Sequence, residues 1–342
     1  MAFLEKFIRI TRWMVSHIAI PVGIAMVLGI LVGYFTPPEI AKKLEFTIII
    51  GLFWMLYPMM IDLKLEELKE IFKRPKRMGT SLLLNFIVSP IIIGSLVLSF
   101  LSSNPRAGAG LLLVGISPCS AMNTAATAFV GGNIELTLGI VAVSYLLTII
   151  AVPIWATAFM GKSVPVPFAF MMRQIALVIL VPMFLGLITR VALKRKMGEE
   201  RYIKIVPSFE GFSFLGVLFM IFFLFVINGR NIITYWNVLA SVILISIVFF
   251  ATMLLIAILV PKVFRFNYSD SASITVTTVA KNESIAMALA FMLYGPTAAM
   301  SVAIGGVLIQ VPFMVMYIQF LSKRLRGFYK KDDEDALPYA PE

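Results

Sequence analysis

The chain has 342 residues, of which 60% are hydrophobic and only 14% charged, and its mean hydropathy is +0.96. This excludes a soluble globular domain, which needs far more polar surface to cover a core of that size. The formal net charge of +11 raises the question of a nucleic-acid partner, which the placement of the charges answers in the negative.

Residues 1–16 mix Phe, Ile and Trp with Lys6, Arg9 and Arg12, the pattern of an interfacial helix. Ten apolar runs follow, near 17–36, 46–61, 79–101, 107–129, 134–160, 168–189, 209–228, 234–261, 271–293 and 297–321. Runs of roughly 17–25 residues cross a ~30 Å hydrocarbon core as helices. With the N-terminus inside, 22 Lys and Arg fall in cytoplasmic segments against six outside, and Lys281 lies within a span. That asymmetry predicts a multi-pass protein of the cell membrane with both termini cytoplasmic, and it accounts for the basic charge without nucleic acid. The first apolar run is too long for a cleavable signal. A single cysteine, Cys119, excludes an intramolecular disulfide. Residues 332–342 are acidic and Pro-containing, and read as a disordered tail.

Ten spans with both ends inside divide as five plus five of opposite topology, residues 17–161 and 162–331, as an inverted repeat requires. Residues 17–32 laid over 174–189 share Ile18/Ile175, Ala19/Ala176, Met26/Met183, Leu28/Leu185 and Gly29/Gly186, and Val152-Pro153 echoes Val311-Pro312. The same shift carries 117–124 (SPCSAMNT) onto 274–281 (ITVTTVAK), the two most polar stretches inside any span. Pro118 predicts a broken fourth helix. A broken ninth rests on polarity alone, in Thr275, Thr277, Thr278, Lys281, Asn282, Glu283 and Ser284, since no Pro or Gly lies between Ser271 and Tyr294. Matching breaks in two halves point to a substrate site.

Lys281 and Glu283 are the sharpest candidates, because an intramembrane charge costs at least ~2.5–3.5 kcal/mol on insertion scales and normally faces a bundle interior. A mutual ion pair is the structural alternative, although positions two apart face differently on a regular helix. Cys119, beside Pro118 and Asn123, is either a ligand or a small packed hydrophobe. No nucleotide loop, HExxH or GxSx element supports an enzyme, and no filter motif supports a channel. The sequence therefore reads as an all-α polytopic membrane protein working as a secondary transporter.

The stretch from Leu56 to Pro90 resembles spans two and three of the bile acid:sodium symporter superfamily, particularly its arsenite efflux permease branch. The resemblance rests on Tyr57-Pro58, on Asn85, Phe86 and Pro90, on Cys119-Ser120-Ala121-Met122 with Gly132, and on Gly306 to Pro312. It covers roughly residues 15–325. It implies a core of spans 3–5 and 8–10, a panel of spans 1, 2, 6 and 7, and a site where the broken fourth and ninth spans cross. Pro118 stands where arsenite permeases have Arg, Ser284 takes the place of their ninth-span acid, and Glu283 comes one residue early. Thr277 and Lys281 fall where the sodium-coupled branch has sodium ligands. A fixed ammonium there argues against sodium by charge repulsion.

The expected function is proton-coupled efflux of an arsenite-like metalloid oxyacid, with organic-anion transport, sodium- or proton-coupled, as the alternative. The expected site comprises Asn85, Cys119, Asn123, Thr124, Thr277, Lys281, Asn282, Glu283 and Ser284, with Pro118 at the helix break. The coupling ion is a proton or sodium, with no other cofactor. The partners are a small-molecule or oxyanion substrate and the lipid bilayer, and the oligomeric state stays open.

Overall fold

The computed structural model describes residues 2–329 apart from Ile18, residues 64–72, residues 121–122 and Tyr235. All its regular elements are helical. In chain order they are α1 (Ala2–Ser16), α2 (Ala19–Phe35), α3 (Pro38–Ile61), α4 (Pro75–Phe100), α5 (Pro105–Ile116), α6 (Asn123–Val130) and α7 (Ile134–Met160). Then come α8 (Phe168–Met197), α9 (Glu199–Thr234), α10 (Trp236–Val263), α11 (Tyr268–Val279), α12 (Glu283–Tyr294) and α13 (Pro296–Phe328). The acidic tail lies outside the described residues.

The boundaries follow from local chemistry. Pro38, Pro75, Pro105 and Pro296 sit at the first helical turn, where a missing N–H costs nothing. Asn133, Asn267 and Asn282 cap α7, α11 and α12 by accepting from Leu136 N, Asp270 N and Ile285 N at 3.0–3.1 Å, each satisfying an orphan donor. Gly198 and Gly295 end α8 and α12 with φ of 80° and 86°, a region open to glycine. Inside α4, α8 and α13 the helix widens at Leu84–Val88, Ala176–Leu180 and Val302–Leu308, each time just before Pro90, Pro182 or Pro312. A proline ring clashes with the carbonyl four residues back, and a π-turn opens that contact.

Seven of these helices are long and apolar enough to span a membrane: α3, α4, α7, α8, α9, α10 and α13. The 17-residue α2 follows α1 at an 80° bend. The expected fourth and ninth spans are not continuous. Each is represented by two short helices, α5 and α6 or α11 and α12, with residues 117–120 and 280–282 non-helical. Helices α3 and α9 also start well before the expected spans at 46 and 209. Charged turns at residues 39–43 and 199–204 continue the helix beyond its apolar part, because helix propensity is not confined to apolar residues.

Two packing groups result. Helix α9 packs on α2 and α3, and α3 on α8, through small residues that let backbones approach. A methyl group on Gly33 would strike the Val226 carbonyl, one on Gly216 the Met55 backbone, and one on Gly186 the Met60 backbone. Ser213 Oγ also donates to the Met55 carbonyl. In the other group α5 packs against α4, α7, α12 and α13, and α11 against α10 and α7. Gly110 allows α5 to lie directly on the Ala298 backbone.

Candidate functional site

The two helix breaks meet. Residues 117–120 run between α5 and α6, and residues 280–282 between α11 and α12. Cys119 and Lys281 form an antiparallel β-bridge, with Asn282 N donating to the Pro118 carbonyl at 2.7 Å and Ser120 N to the Ala280 carbonyl at 3.3 Å. Backbone freed from a helix must find partners when water is excluded, and here each break supplies them to the other. The proline is suited to its place, since Pro118 lacks a donor and uses only its carbonyl. Asn123 Nδ2 adds a bond to the Ala280 carbonyl at 2.9 Å.

Gln310 on α13 completes the arrangement. Its Oε1 accepts from Lys281 N at 2.8 Å and its Nε2 donates to the Lys281 carbonyl at 3.3 Å, so that one side-chain amide stands in for a neighbouring strand. The Lys281 side chain is 1% exposed. Its Nζ donates to Asn85 Oδ1 at 2.6 Å, and Asn85 sits in the π-turn of α4. Asn85 Nδ2 donates back to the Ser81 carbonyl at 2.9 Å. Ser81 Oγ lies 3.1 Å from Thr277 Oγ1, whose own proton goes to the Ser273 carbonyl. Lys281, Asn85, Ser81 and Thr277 thus form one buried polar chain linking α4 to the ninth-span break.

Cys119 is fully buried. Its N–H donates to Ser144 Oγ at 3.3 Å and its Sγ lies 3.2 Å from the same oxygen. The Ser144 hydroxyl donates to the Val141 carbonyl at 2.8 Å, so toward Cys119 it accepts. Asn282 Nδ2 donates to Tyr145 Oη at 2.6 Å. Helix α7 therefore braces both breaks through adjacent residues.

Glu283 does not pair with Lys281 as the structural alternative required. Both carboxylate oxygens are buried without a hydrogen-bond partner among the described residues, and they rest so close to Gly306 that a methyl group there would strike Oε2. Thr124 and Ser284 are only half-buried and take no part in this bonding.

Of the expected residues the crossing unites Asn85, Pro118, Cys119, Asn123, Thr277, Lys281 and Asn282 in one bonded cluster, with Glu283 beside it. Ser81, Ser144, Tyr145 and Gln310 belong to it as well. Gln310 lies within the quoted stretch from Gly306 to Pro312, and its polarity in an apolar span is the signal that marks it. Another buried charge lies away from the crossing. Asp270, 0% exposed, accepts from Arg74 at 3.0 Å and from Asn133 Nδ2 at 2.8 Å and pairs with Arg77, tying α11 to α4 and to the start of α7.

The family model for the Sodium Bile acid symporter family matches residues 49–235. The chain belongs to this family. Its relatives include the arsenical-resistance protein Acr3 of Corynebacterium glutamicum, 26% identical over 92% of this chain and 87% of that protein. The Acr3 protein of Alkaliphilus metalliredigens is 23% identical over 92% and 93% of the two chains. An uncharacterized sodium-dependent transporter of Bacillus subtilis, YocS, is 22% identical over 82% and 85%. Family and apolar helices together make this a multi-pass membrane transporter for a small molecule or ion.

Proposed function

We propose that the protein exports an arsenite-like metalloid oxyacid across the cell membrane in exchange for protons, through the crossing of the two broken helices. The observation that carries the reading is Cys119 bridged backbone-to-backbone to Lys281, which sets the chain's single thiol beside a buried ammonium. Trivalent arsenic is thiophilic, and thiolate is the softest ligand a side chain offers. One thiol cannot build a three-sulfur cage, which suits a protein that must release what it binds. The names of the two Acr3 relatives support the same substrate class.

In this reading there are ten spans arranged as two inverted repeats of five, with α5/α6 and α11/α12 as the broken fourth and ninth. Spans 3–5 and 8–10 form a core that moves against a panel of spans 1, 2, 6 and 7, and both termini face the cytoplasm. Lys281 supplies a tethered internal cation, so transport is independent of sodium, and Lys281 or Glu283 carries the coupling proton.

The buried ammonium favours a second reading, transport of a small organic anion. Expression in an arsenic-hypersensitive strain separates the two. Increased resistance supports arsenite export. Unchanged resistance together with uptake of labelled organic anions overturns it.

A further inference from the structure

Helix α1 takes no part in the crossing and poses a separate question. It meets α2 at 80°, so with α2 across the bilayer α1 lies along the membrane surface. It is fixed there on α9. The Phe7 and Phe212 rings lie 5.6 Å apart, and Gly211 lets Thr11 approach so closely that a methyl group would collide with it. Between the two helices is a cleft of about 360 Å³ lined by Glu5, Ile8, Arg9, Arg12, Lys204 and Pro207.

The lining sets three cations against one carboxylate. Arg12 also lies in the field of Glu210 on α9, which leaves Arg9 and Lys204 as the charges most available to a ligand. Ile8 and Pro207 supply an apolar wall. On the same helix Ile10 and Trp13 are 47% and 54% exposed, the placement of residues that enter the acyl and headgroup region. A ligand that fits carries an anionic head for Arg9 and Lys204 and an apolar body alongside Ile8 and Pro207.

We propose that this cleft binds the phosphate headgroup of an anionic phospholipid and so anchors α1 and the end of α9 to the membrane surface. The proposal holds whichever solute the protein carries. The charge distribution puts this surface in the cytoplasmic leaflet, where anionic lipid attracts basic clusters beside a span. A free phosphate would satisfy the two cations and leave the apolar side of the cleft unused.

The test is lipid binding by purified full-length protein in detergent, measured by native mass spectrometry and by thermal unfolding. The probes are phosphatidylglycerol, phosphatidylcholine and inorganic phosphate. Wild type retains phosphatidylglycerol over phosphatidylcholine and unfolds at a higher temperature with it. Arg9→Gln combined with Lys204→Gln lowers phosphatidylglycerol affinity by at least tenfold, on the scale of about fivefold per basic residue removed. Arg106→Gln, outside the cleft, leaves that affinity unchanged. Should the double variant fail to fold, Lys204→Gln alone is measured and loses about fivefold. Equal retention of the two lipids, an equal shift with inorganic phosphate, or an equal loss in Arg106→Gln overturns the proposal.

Discussion

The Lys281 ammonium, buried at membrane depth, donates to the Asn85 side-chain carbonyl at 2.6 Å, joining the interrupted ninth helix to the π-turn of α4. A hydrogen bond to a charged group contributes about 1.5–3 kcal/mol, and stranding a buried charge costs about 3–5 kcal/mol. Asn85→Leu should therefore lower stability by about 3 kcal/mol. Lys281→Met in the same background should recover much of it. A double-mutant cycle by thermal or chemical unfolding measures the coupling, and simple additivity would remove this bond from the account.

Sodium independence follows if Lys281 serves as the tethered cation. Transport by the wild type is expected to be equal in sodium-containing and sodium-free buffers at fixed pH. Lys281→Gln removes the charge and should introduce some sodium dependence. A steep sodium dependence in the wild type would sink the idea.

Gln310 holds both backbone groups of Lys281. Gln310→Leu leaves a buried donor and a buried acceptor unsatisfied, at about 1–3 kcal/mol each. We expect loss of stability, together with faster hydrogen exchange confined to residues 279–283. Exchange unchanged there would contradict the clamp.

Seven of the ten expected spans, those that became α3, α4, α7, α8, α9, α10 and α13, were legible in the sequence because apolar length is all that crossing a membrane requires, and Pro118 marked the break between α5 and α6. The ninth-span break was legible only as polarity. Ala280 and Asn282 adopt extended backbone at φ/ψ of −86°/94° and −87°/90°, yet neither residue type demands it. What holds them is tertiary: the Pro118 carbonyl, Ser120 N–H and Gln310 amide are all distant in sequence. The same reason hid Asp270. It lies one residue before the expected ninth span, and only the fold brings Arg74, Arg77 and Asn133 around it.

Asp270→Asn should destabilise the protein by about 3 kcal/mol, the low end for breaking a buried pair, because the two arginine side chains remain 35% exposed. Arg77→Gln added to Asp270→Asn should return part of the loss. An unfolding temperature within a degree of wild type for Asp270→Asn alone would show that the pairs contribute little.

Gly306→Ala places a methyl group where the Glu283 carboxylate rests. The end of a glutamate can move, so the fold should survive while the carboxylate leaves its position. Transport is expected to fall severalfold more than stability would explain. Flux at the wild-type level would mean that the position of Glu283 does not matter to transport.

The most direct test of the central claim is arsenite flux in proteoliposomes under an imposed proton gradient, wild type against Cys119→Ser. A serine at 119 keeps the volume and can still donate to Ser144 Oγ, so packing at the crossing is retained while the soft ligand is lost. The account predicts gradient-driven arsenite flux in the wild type, and its loss in a Cys119→Ser protein that reconstitutes and unfolds normally. Full arsenite flux in Cys119→Ser would contradict it and return Cys119 to the role of a packed side chain.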